Sequence, residues 1–444
     1  MRSDGVRQVH LVAMVQAPTS QYAEGWRHPA SRTDWLDVGY YTDLARTLER
    51  GCFDMVFLPD SLAVPEDHAG DVGTTLRTGG KGAVVLDPLV VLSAMAAVTT
   101  HLGLGATVST TFTPPYAIAR SMLSLDHLSG GRAAWNVVTS TTDEQARNFG
   151  LDAIPAKADR YDSADRVVQT VLDLWDSWSP GALVLDAEGR RFADPALVHR
   201  TPDRGGPVRS RGPLSLPRSP QGRPVLMQAG ASARGRRFAG RWAEVVFSIA
   251  GSAEAMRQER AALRRAAVEA DRDPDDVLFL PAVQPVVGAT HEDAAATLAE
   301  LESHVDEQDA LAKLGRLLHA PAEELDPAAS GAELVQRHRG STGSDGFEEH
   351  LVAVCRAGGM TVRDLALRQV IDQLKPRPLG DPEQVADELC ELVDSAAADG
   401  FVVTFPVVPS SVDDFVDGVV PALQRRGRLR RDYSGRHLRS HLAG

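Results

Sequence analysis

The sequence has 444 residues, a mass of 47.6 kDa and a formal net charge of −13 at pH 7. Hydrophobic residues make up 43% and charged residues 24% of it, which is typical of a globular protein with a large core. The negative charge argues against nucleic acid or an anionic membrane surface as the main partner. No run approaches the ~18 apolar residues of a membrane span.

The termini and cysteines indicate a cellular compartment. The first ten residues, MRSDGVRQVH, are polar and lack the apolar stretch of a secretory signal. Cys52, Cys355 and Cys390 lie far apart and form no C-x-x-C pair. Isolated cysteines fit a reducing compartment, so we expect a cytoplasmic protein without disulfides.

Eight short apolar runs alternate with helical patterns. They are VHLVAMV (9–15), DMVFL (54–58), LGLGATV (102–108), AAWNVV (133–138), PVLMQ (224–228), EVVFS (244–248), VLFLPAVQPVV (277–287) and FVVTF (401–405). Each is continuously apolar, which is typical of parallel strands covered on both faces. Eight strand–helix units predict an α/β fold, a TIM-type (β/α)8 barrel. The rival, an open doubly wound sheet, lacks its G-x-G-x-x-G fingerprint.

Helix boundaries carry recognisable signals. Leu44 and Leu48 share one helix face, and Gly51 offers a C′ stop to that helix. Asp381-Pro382-Glu383-Gln384 resembles a capping box, and Gly400 is expected to end the helix that it begins.

Two connecting segments are longer than the loops of a minimal barrel. Residues 179–222 are rich in Pro, Gly and Arg, and residues about 304–375 separate the seventh and eighth strands. We expect one domain over 1–444, with both stretches inserted at the C-terminal mouth, where such loops form lids or binding loops. The second contains glycines and polar turns, so it should bury little apolar area and open easily.

A barrel carries its chemistry at the C-terminal ends of its strands. Asp60 follows the second predicted strand, Thr107 lies in the third, Asn136 in the fourth, and Gln228 ends the fifth. Such a mouth, nearly free of titrating groups, suits a large polar cofactor and a neutral, partly apolar substrate. Structural roles stay open, because Asp60 could also cap a loop and Asn136 could satisfy barrel-rim backbone.

The segment Gly230-Ala231-Ser232 joins the fifth strand to a helix. Free N–H groups and the Ser232 hydroxyl meet there, as in an anion site, although a plain N-cap is the alternative. His437 and His441 have metal-ligand spacing, but they lie in a basic tail and we expect no metal site. His28 follows the first strand, near the mouth, where a structural hydrogen bond is its simplest role.

The segment LDHLSGGRAAWNVVTS (125–140) resembles the bacterial luciferase-like FMN-dependent monooxygenases, in the group of nitrilotriacetate monooxygenase component A and dibenzothiophene-sulfone monooxygenase. Further similar segments run along nearly the whole chain. They include WRHP (26–29), YYTDLARTLERGCFDMVFLPD (40–60), RYDSADRVVQTVLDLWDSW (160–178) and RGPLSLPRSPQGRPVLMQAGASARGRRFAGRWAE (211–244). The second insertion matches poorly.

The resemblance implies a two-component monooxygenase. Reduced FMN would come from a separate NAD(P)H:flavin reductase, and O₂ would oxygenate a small, partly apolar organic substrate. The residues implied as flavin contacts are Asp60, Thr107, Asn136, Lys157, Tyr161, Ala231 and Ser232. The phosphate would rest on Ser232, the Ala231 N–H and Tyr161, and Asn136 would face the flavin ring. Lys157 stands where the family often has histidine.

The resemblance also implies catalytic groups and an assembly. His319 stands where some relatives carry a lid histidine, so it is the candidate proton donor or substrate hydrogen bond, with His28 next. Relatives are generally dimers or tetramers, and we expect a homodimer or homotetramer. Two alternatives stay open, a deazaflavin-dependent oxidoreductase on the same barrel and a non-catalytic flavin-binding relative. The WNVVTS and PRSPQG segments count against the first.

Overall fold

The computed structural model describes residues 7–16, 25–66, 70–230, 232–341 and 345–443. Eight parallel strands form a closed barrel. They are β1 His10–Met14, β2 Met55–Leu58, β3 Gly103–Ser109, β4 Ala133–Val138, β5 Val225–Ala229, β6 Val245–Ser248, β7 Leu278–Val283 and β8 Gly400–Thr404. Around the barrel the order is β1-β8-β7-β6-β5-β4-β3-β2. The eight predicted strands and the TIM-type (β/α)8 class are therefore confirmed.

Helices cover the barrel and its mouth. In chain order they are α1 Val38–Arg50, α2 Gly73–Thr78, α3 Pro88–Ala96, α4 Pro115–Leu128, α5 Asp143–Asn148, α6 Lys157–Trp175, α7 Ala233–Trp242, α8 Ala253–Glu269, α9 His291–Ser303, α10 Glu307–Leu318, α11 Gly331–Arg337, α12 Asp345–Gly358, α13 Val362–Ile371, α14 Pro382–Asp394, α15 Ser410–Asp414, α16 Val420–Arg425 and α17 Leu438–Leu442. The predicted capping box at the start of α14 is present.

The strands are buried on both faces, as their continuous apolar sequences require. In β1, Leu11 and Ala13 belong to the core between strands and helices, whereas Val12 and Met14 point into the barrel. Leu438 and Leu442 of α17 join the interior cluster. The N-terminal end of the barrel is thereby closed, and the opposite end is left for chemistry.

Two glycine predictions need revision. Helix α1 ends at Arg50, but its C-cap Gly51 has φ −75° and the left-handed residue is Cys52. Gly400 does not end α14, which stops at Asp394; it begins β8. A Cβ on Gly400 would lie 2.2 Å from the main-chain oxygen of His10, its partner in β1. Close approach of two strands, not helix termination, accounts for this glycine.

The first insertion, residues 179–222, lies at the N-terminal end of the barrel. It contains an antiparallel pair, Leu183–Asp186 with Arg191–Ala193. Gln221 donates its side-chain N–H to the main-chain oxygen of Ala133, the first residue of β4, at 2.9 Å. Our placement of this insertion at the mouth was wrong. It joins a helix to the next strand, and such connections lie opposite the C-terminal ends of the strands.

The second insertion, residues 304–375, is at the mouth and consists mainly of α10–α13. Arg77 at the end of α2 pairs with Asp309 of α10 at 2.7 Å. The N–H of Gly251, after β6, donates to Nδ1 of His350 in α12 at 3.1 Å. The expectation that this segment buries little apolar area was wrong, because its helices pack on one another around a core of their own. That core contains Ala310, Leu311, Leu314, Leu318, Ala320, Ala332, Leu334, Val335, Leu351, Val352, Cys355, Val362, Leu365, Ala366, Val370 and Leu374.

Candidate active site

The C-terminal ends of the strands surround a cavity of about 420 Å³, called here the inner cavity. Apolar side chains, including Met14, Phe57 and Phe247, form part of its wall. A wider space of about 1070 Å³, the outer cavity, adjoins it, and Tyr161 and Thr139 line both. The inner volume falls within the ~300–1,000 Å³ of small-molecule and cofactor sites.

The inner cavity has polar side chains on neighbouring strands. Thr107 of β3 and Asn136 of β4 are paired in the barrel register, and Asn136 Nδ2 donates to Thr107 Oγ1 at 2.9 Å. Asn136 Oδ1 and Gln228 Oε1 are buried without a hydrogen-bond partner among the described residues. A buried acceptor left unpaired is costly, so these two oxygens fit a ligand that presents N–H groups.

Asp60 supplies a carboxyl group directly after β2. Its Oδ1 accepts a hydrogen bond from the N–H of Ser61 at 2.8 Å, and its side chain lines the inner cavity. Burial raises the pKa of Asp60 to about 6, partly offset by that hydrogen bond. Near neutral pH the group is therefore mostly an ionised acceptor, and it becomes a donor in mildly acidic solution.

The predicted anion site lies at the start of α7. Ser232 is the N-cap, and its hydroxyl accepts from the N–H of Gly235 at 3.1 Å. Tyr161 of α6 hydrogen-bonds with Ser232, and burial raises the pKa of Tyr161. A Cβ on Gly235 would lie 3.0 Å from the Tyr161 hydroxyl oxygen and 3.2 Å from Ser232 Oγ. The hydroxyl groups of Tyr161 and Ser232 thus lie together at the start of α7, where a side chain at position 235 would crowd them. Ala231 lies outside the described residues.

The outer cavity adds cations and the proposed lid histidine. Lys157, the first residue of α6, and Arg160 lie on its wall with Tyr161. Burial lowers the pKa of Arg160. His319 lines the same cavity as the C-cap residue of α10, with φ 52°. The structure thus brings Lys157, Tyr161 and His319 to one space, but His319 does not line the inner cavity.

His28 lies apart from both cavities. Its Nδ1 accepts from the N–H of Ala30 at 3.1 Å, and its Nε2 lies 3.7 Å from Oε1 of Glu300 in α9. Neither set of cavity-lining residues includes it. His28 therefore connects its own loop to the neighbouring helix α9, which is a structural role.

The sequence analysis missed two lysines and one amide in the inner cavity. Lys375 and Gln373, from the end of the second insertion, line it, and Lys81 lines both cavities. With Asp60 and Tyr161 these side chains overturn the expectation of a mouth nearly free of titrating groups. Loop residues far along the chain carry no periodic signal, so only the tertiary structure brings them here.

The described residues contain no group of three or more His, Cys, Asp or Glu side chains placed to hold a metal ion. In the C-terminal tail, Nε2 of His441 hydrogen-bonds with the main-chain oxygen of Gly435 at 2.9 Å. In the part of the chain that the structure describes, no helix combines the length and the hydropathy needed to cross a bilayer.

Sequence comparison decides the family. The profile of the family described as luciferase-like monooxygenase matches residues 9–399, which include seven of the eight barrel strands. The chain belongs to this family. Dibenzothiophene-sulfone monooxygenase of Rhodococcus erythropolis (strain XP) is 44% identical over 441 residues, covering 98% of this chain and 96% of the relative.

Solved structures agree with family membership. DmoA from Hyphomicrobium sulfonivorans superimposes with a TM-score of 0.89 at 35% identity, over 99% of this chain and 92% of that chain. A riboflavin lyase, crystallised with modified FMN and riboflavin, gives a TM-score of 0.86 at 35% identity, over 99% and 96% of the two chains. An F420-dependent secondary alcohol dehydrogenase is only 15% identical at a TM-score of 0.54, so it shares the fold alone.

Proposed function

We propose that this chain is the oxygenating component of a two-component monooxygenase that binds reduced FMN and uses O₂ to oxygenate a small organic substrate. The observation that carries the proposal is the combination of two hydroxyl groups at the start of α7 with amide oxygens in the inner cavity that have no hydrogen-bond partner among the described residues. Family membership supports an oxygenase, and the riboflavin lyase relative supports flavin use.

The residues present fit FMN at both ends. Ser232, Tyr161 and the N–H groups at the start of α7 would hold the phosphate, with Lys157 of the outer cavity adding positive charge. The contact implied for the Ala231 N–H lies outside the described residues.

At the ring end, Asn136 Oδ1 and Gln228 Oε1 would accept hydrogen bonds from ring N–H groups, and Thr107 holds the Asn136 amide in place. Asp60 stands at the rim of the same cavity as a further contact.

Bound reduced FMN supplies the two electrons that activate O₂ for insertion of one oxygen atom. The protein's part is to bind, orient and exclude water. Helices α10–α13 cover the mouth, and their docking on α2 and on the loop after β6 shields the inner cavity. His319 would serve as the proton donor from the outer cavity. The position of His28 supports a structural role instead.

The proposed partners are a NAD(P)H:flavin reductase, which would supply the reduced FMN, and a second copy of this chain. Val90 of α3 and Leu128 of α4 are 71% and 75% exposed, and with Tyr116 they line a groove on the outside of the barrel. Burial of these apolar side chains between two copies would stabilise a homodimer.

Anaerobic titration with reduced FMN, riboflavin and coenzyme F420, followed by O₂ uptake with an added flavin reductase, tests the function. We expect tight binding of reduced FMN and weaker binding of riboflavin, which lacks the phosphate. Preferential binding of F420 would instead identify a deazaflavin enzyme. Flavin binding that changes neither O₂ uptake nor product formation would identify a non-catalytic relative.

A further inference from the structure

All four lysines of this protein lie on the walls of the two cavities. Lysine and arginine together number 47, but only Lys81, Lys157, Lys313 and Lys375 are lysines. Lys375 lines the inner cavity, Lys81 lines both, and the other two line the outer cavity. Elsewhere arginine carries the positive charge. Lysine differs from arginine in having a compact ammonium group that changes protonation readily when it is desolvated, so this distribution indicates a chemical use.

The outer cavity is cationic although the chain as a whole carries a charge of −13. Among the described residues, its wall has six basic side chains and three acidic ones. The basic ones are Lys81, Arg147, Lys157, Arg160, Lys313 and Arg316, and the acidic ones are Glu66, Asp143 and Glu144. A cleft of one sign in a protein of the opposite sign concentrates ligands of complementary charge. The approach to the inner cavity therefore favours anions.

A strained loop positions Lys375. Gln373 and Leu374 have φ values of 53° and 57°, a left-handed conformation that is unfavourable for residues with a Cβ. The Asp372 carboxylate accepts from the Leu374 N–H at 2.8 Å, and Arg368 Nη2 donates to the main-chain oxygen of Lys375 at 3.1 Å. Strain held in place by such contacts is concentrated at functional sites.

The charged groups around Lys375 include one buried carboxylate and several cations. Asp372 is buried and ion-paired with Arg368 at 2.8 Å and with Arg377 at 3.2 Å, so two guanidinium groups already share its charge. The pKa of Lys375 is lowered to about 7, mainly by burial; the charge of Asp372 raises this pKa, and the charges of Lys81 and Arg368 lower it. A ligand anion in the inner cavity would favour the ammonium form.

We propose that the inner cavity binds its organic substrate through an anionic group, a carboxylate, sulfinate or comparable oxyanion, and that Lys375 binds this group with Lys81 as a second positive charge. The proposal rests on the proposed function, since it takes the inner cavity as the place of oxygenation. It replaces the expectation of a neutral substrate. Lys375 comes from the insertion, whereas α6, α7 and the barrel strands supply the proposed flavin contacts.

Benzoate and benzamide are matched probes, because they share size and shape and differ in charge. Their dissociation constants are measured by calorimetry on the FMN-loaded full chain. At about pH 6 we expect wild type to bind benzoate at least about tenfold more tightly than benzamide. This preference should shrink towards about pH 8.5 as Lys375 loses its proton. Equal binding of the two probes at pH 6 would overturn the proposal.

Substitutions identify the group responsible. Asp60 and Tyr161 also face the inner cavity, and Asp60 ionises near pH 6. Lys375→Arg should retain the benzoate preference at pH 8.5, because arginine stays charged; a decline like that of wild type would implicate Asp60. Lys375→Met should remove most of the preference, because only Lys81 is left to attract the anion. Arg363→Met removes one positive charge from the exposed surface of α13 and should retain it.

One further outcome would overturn the assignment. Lys375→Met could retain the benzoate preference while changing the midpoint potential of bound FMN, in which case the charge serves the flavin. If Lys375→Met does not fold, the pH dependence of wild type against Lys375→Arg decides the question. FMN titration is a separate readout. Failure of wild type to bind FMN would contradict the proposed function, whereas the probe preference can still be measured on the FMN-free chain.

Discussion

Replacement of Ser232 by Asp tests the phosphate cradle at one side chain. Ser232 caps α7 by accepting a hydrogen bond from the N–H of Gly235 at 3.1 Å. Asp is as good an N-cap residue as Ser, and its negative charge is favourable at a helix start. The Ser232→Asp variant should therefore fold normally. The substitution changes the charge of the cradle and preserves the cap.

The size of the effect follows from Coulomb's law. Two unit charges 4 Å apart interact by ~4 kcal/mol at an effective dielectric constant of ~20 and by ~1 kcal/mol in bulk water. The Ser232 site, which is partly open to solvent, lies between these limits. We expect FMN binding to weaken by about 2–3 kcal/mol, which corresponds to a Kd that is roughly 30- to 160-fold higher.

Flavin fluorescence titration measures this change in Kd directly. FMN and riboflavin are compared on wild type, on Ser232→Asp and on Ser232→Asn, which keeps an N-cap without the charge. The large loss of affinity should appear only for FMN binding to Ser232→Asp, because riboflavin has no phosphate. Equal loss for riboflavin, or an unchanged Kd for FMN, would refute the phosphate assignment at Ser232.

Three other predictions concern the lid, stability and assembly. His319→Ala should raise the ratio of H₂O₂ to oxygenated product under reductase-limited turnover without changing FMN affinity; an unchanged ratio would leave His319 as a surface residue. Burial lowers the pKa of His350 from 6.5 to about 4, so the unfolded chain takes up the proton first as pH falls. The stability that this residue confers is present above pH 6.5 and is lost between 6.5 and 4, by up to ~3 kcal/mol. Urea denaturation should show that loss in wild type and a weaker one in His350→Gln, and identical pH profiles would contradict it. Finally, light scattering at micromolar concentration should show a dimer that Val90→Asp or Leu128→Asp converts to monomer, and a monomeric wild type would remove the proposed interface.

The barrel could be predicted because its signal is local. A parallel strand covered on both sides is apolar at nearly every position, so each strand is visible within five to eleven residues of sequence. The structures of the insertions were harder to predict from the sequence. The helices of the second insertion are short, and their apolar faces reveal a core only once they pack together, as Leu314, Leu334 and Leu365 do. Without that tertiary partner, the segment has the composition of an open loop.

The residues of the candidate site also divide into those that could be predicted from the sequence and those that only the tertiary structure brings together. Asp60, Thr107 and Asn136 were predictable, because a residue at the C-terminal end of a barrel strand must lie at the mouth. Lys375 and Lys81 come from loops whose positions depend on the packing of other elements, and no periodic pattern marks them. Their rarity was the available signal, since lysine is nearly replaced by arginine in the rest of the sequence.

Isotope labelling tests the central claim most directly. The full chain is incubated with FMN, NADH, an added flavin reductase and ¹⁸O₂, together with aromatic carboxylates and sulfinates and their neutral counterparts. We expect a product that carries one ¹⁸O atom, forms only when all components are present, and arises from the anionic compounds. Oxygen derived from water, or a product that forms without FMN, would contradict it.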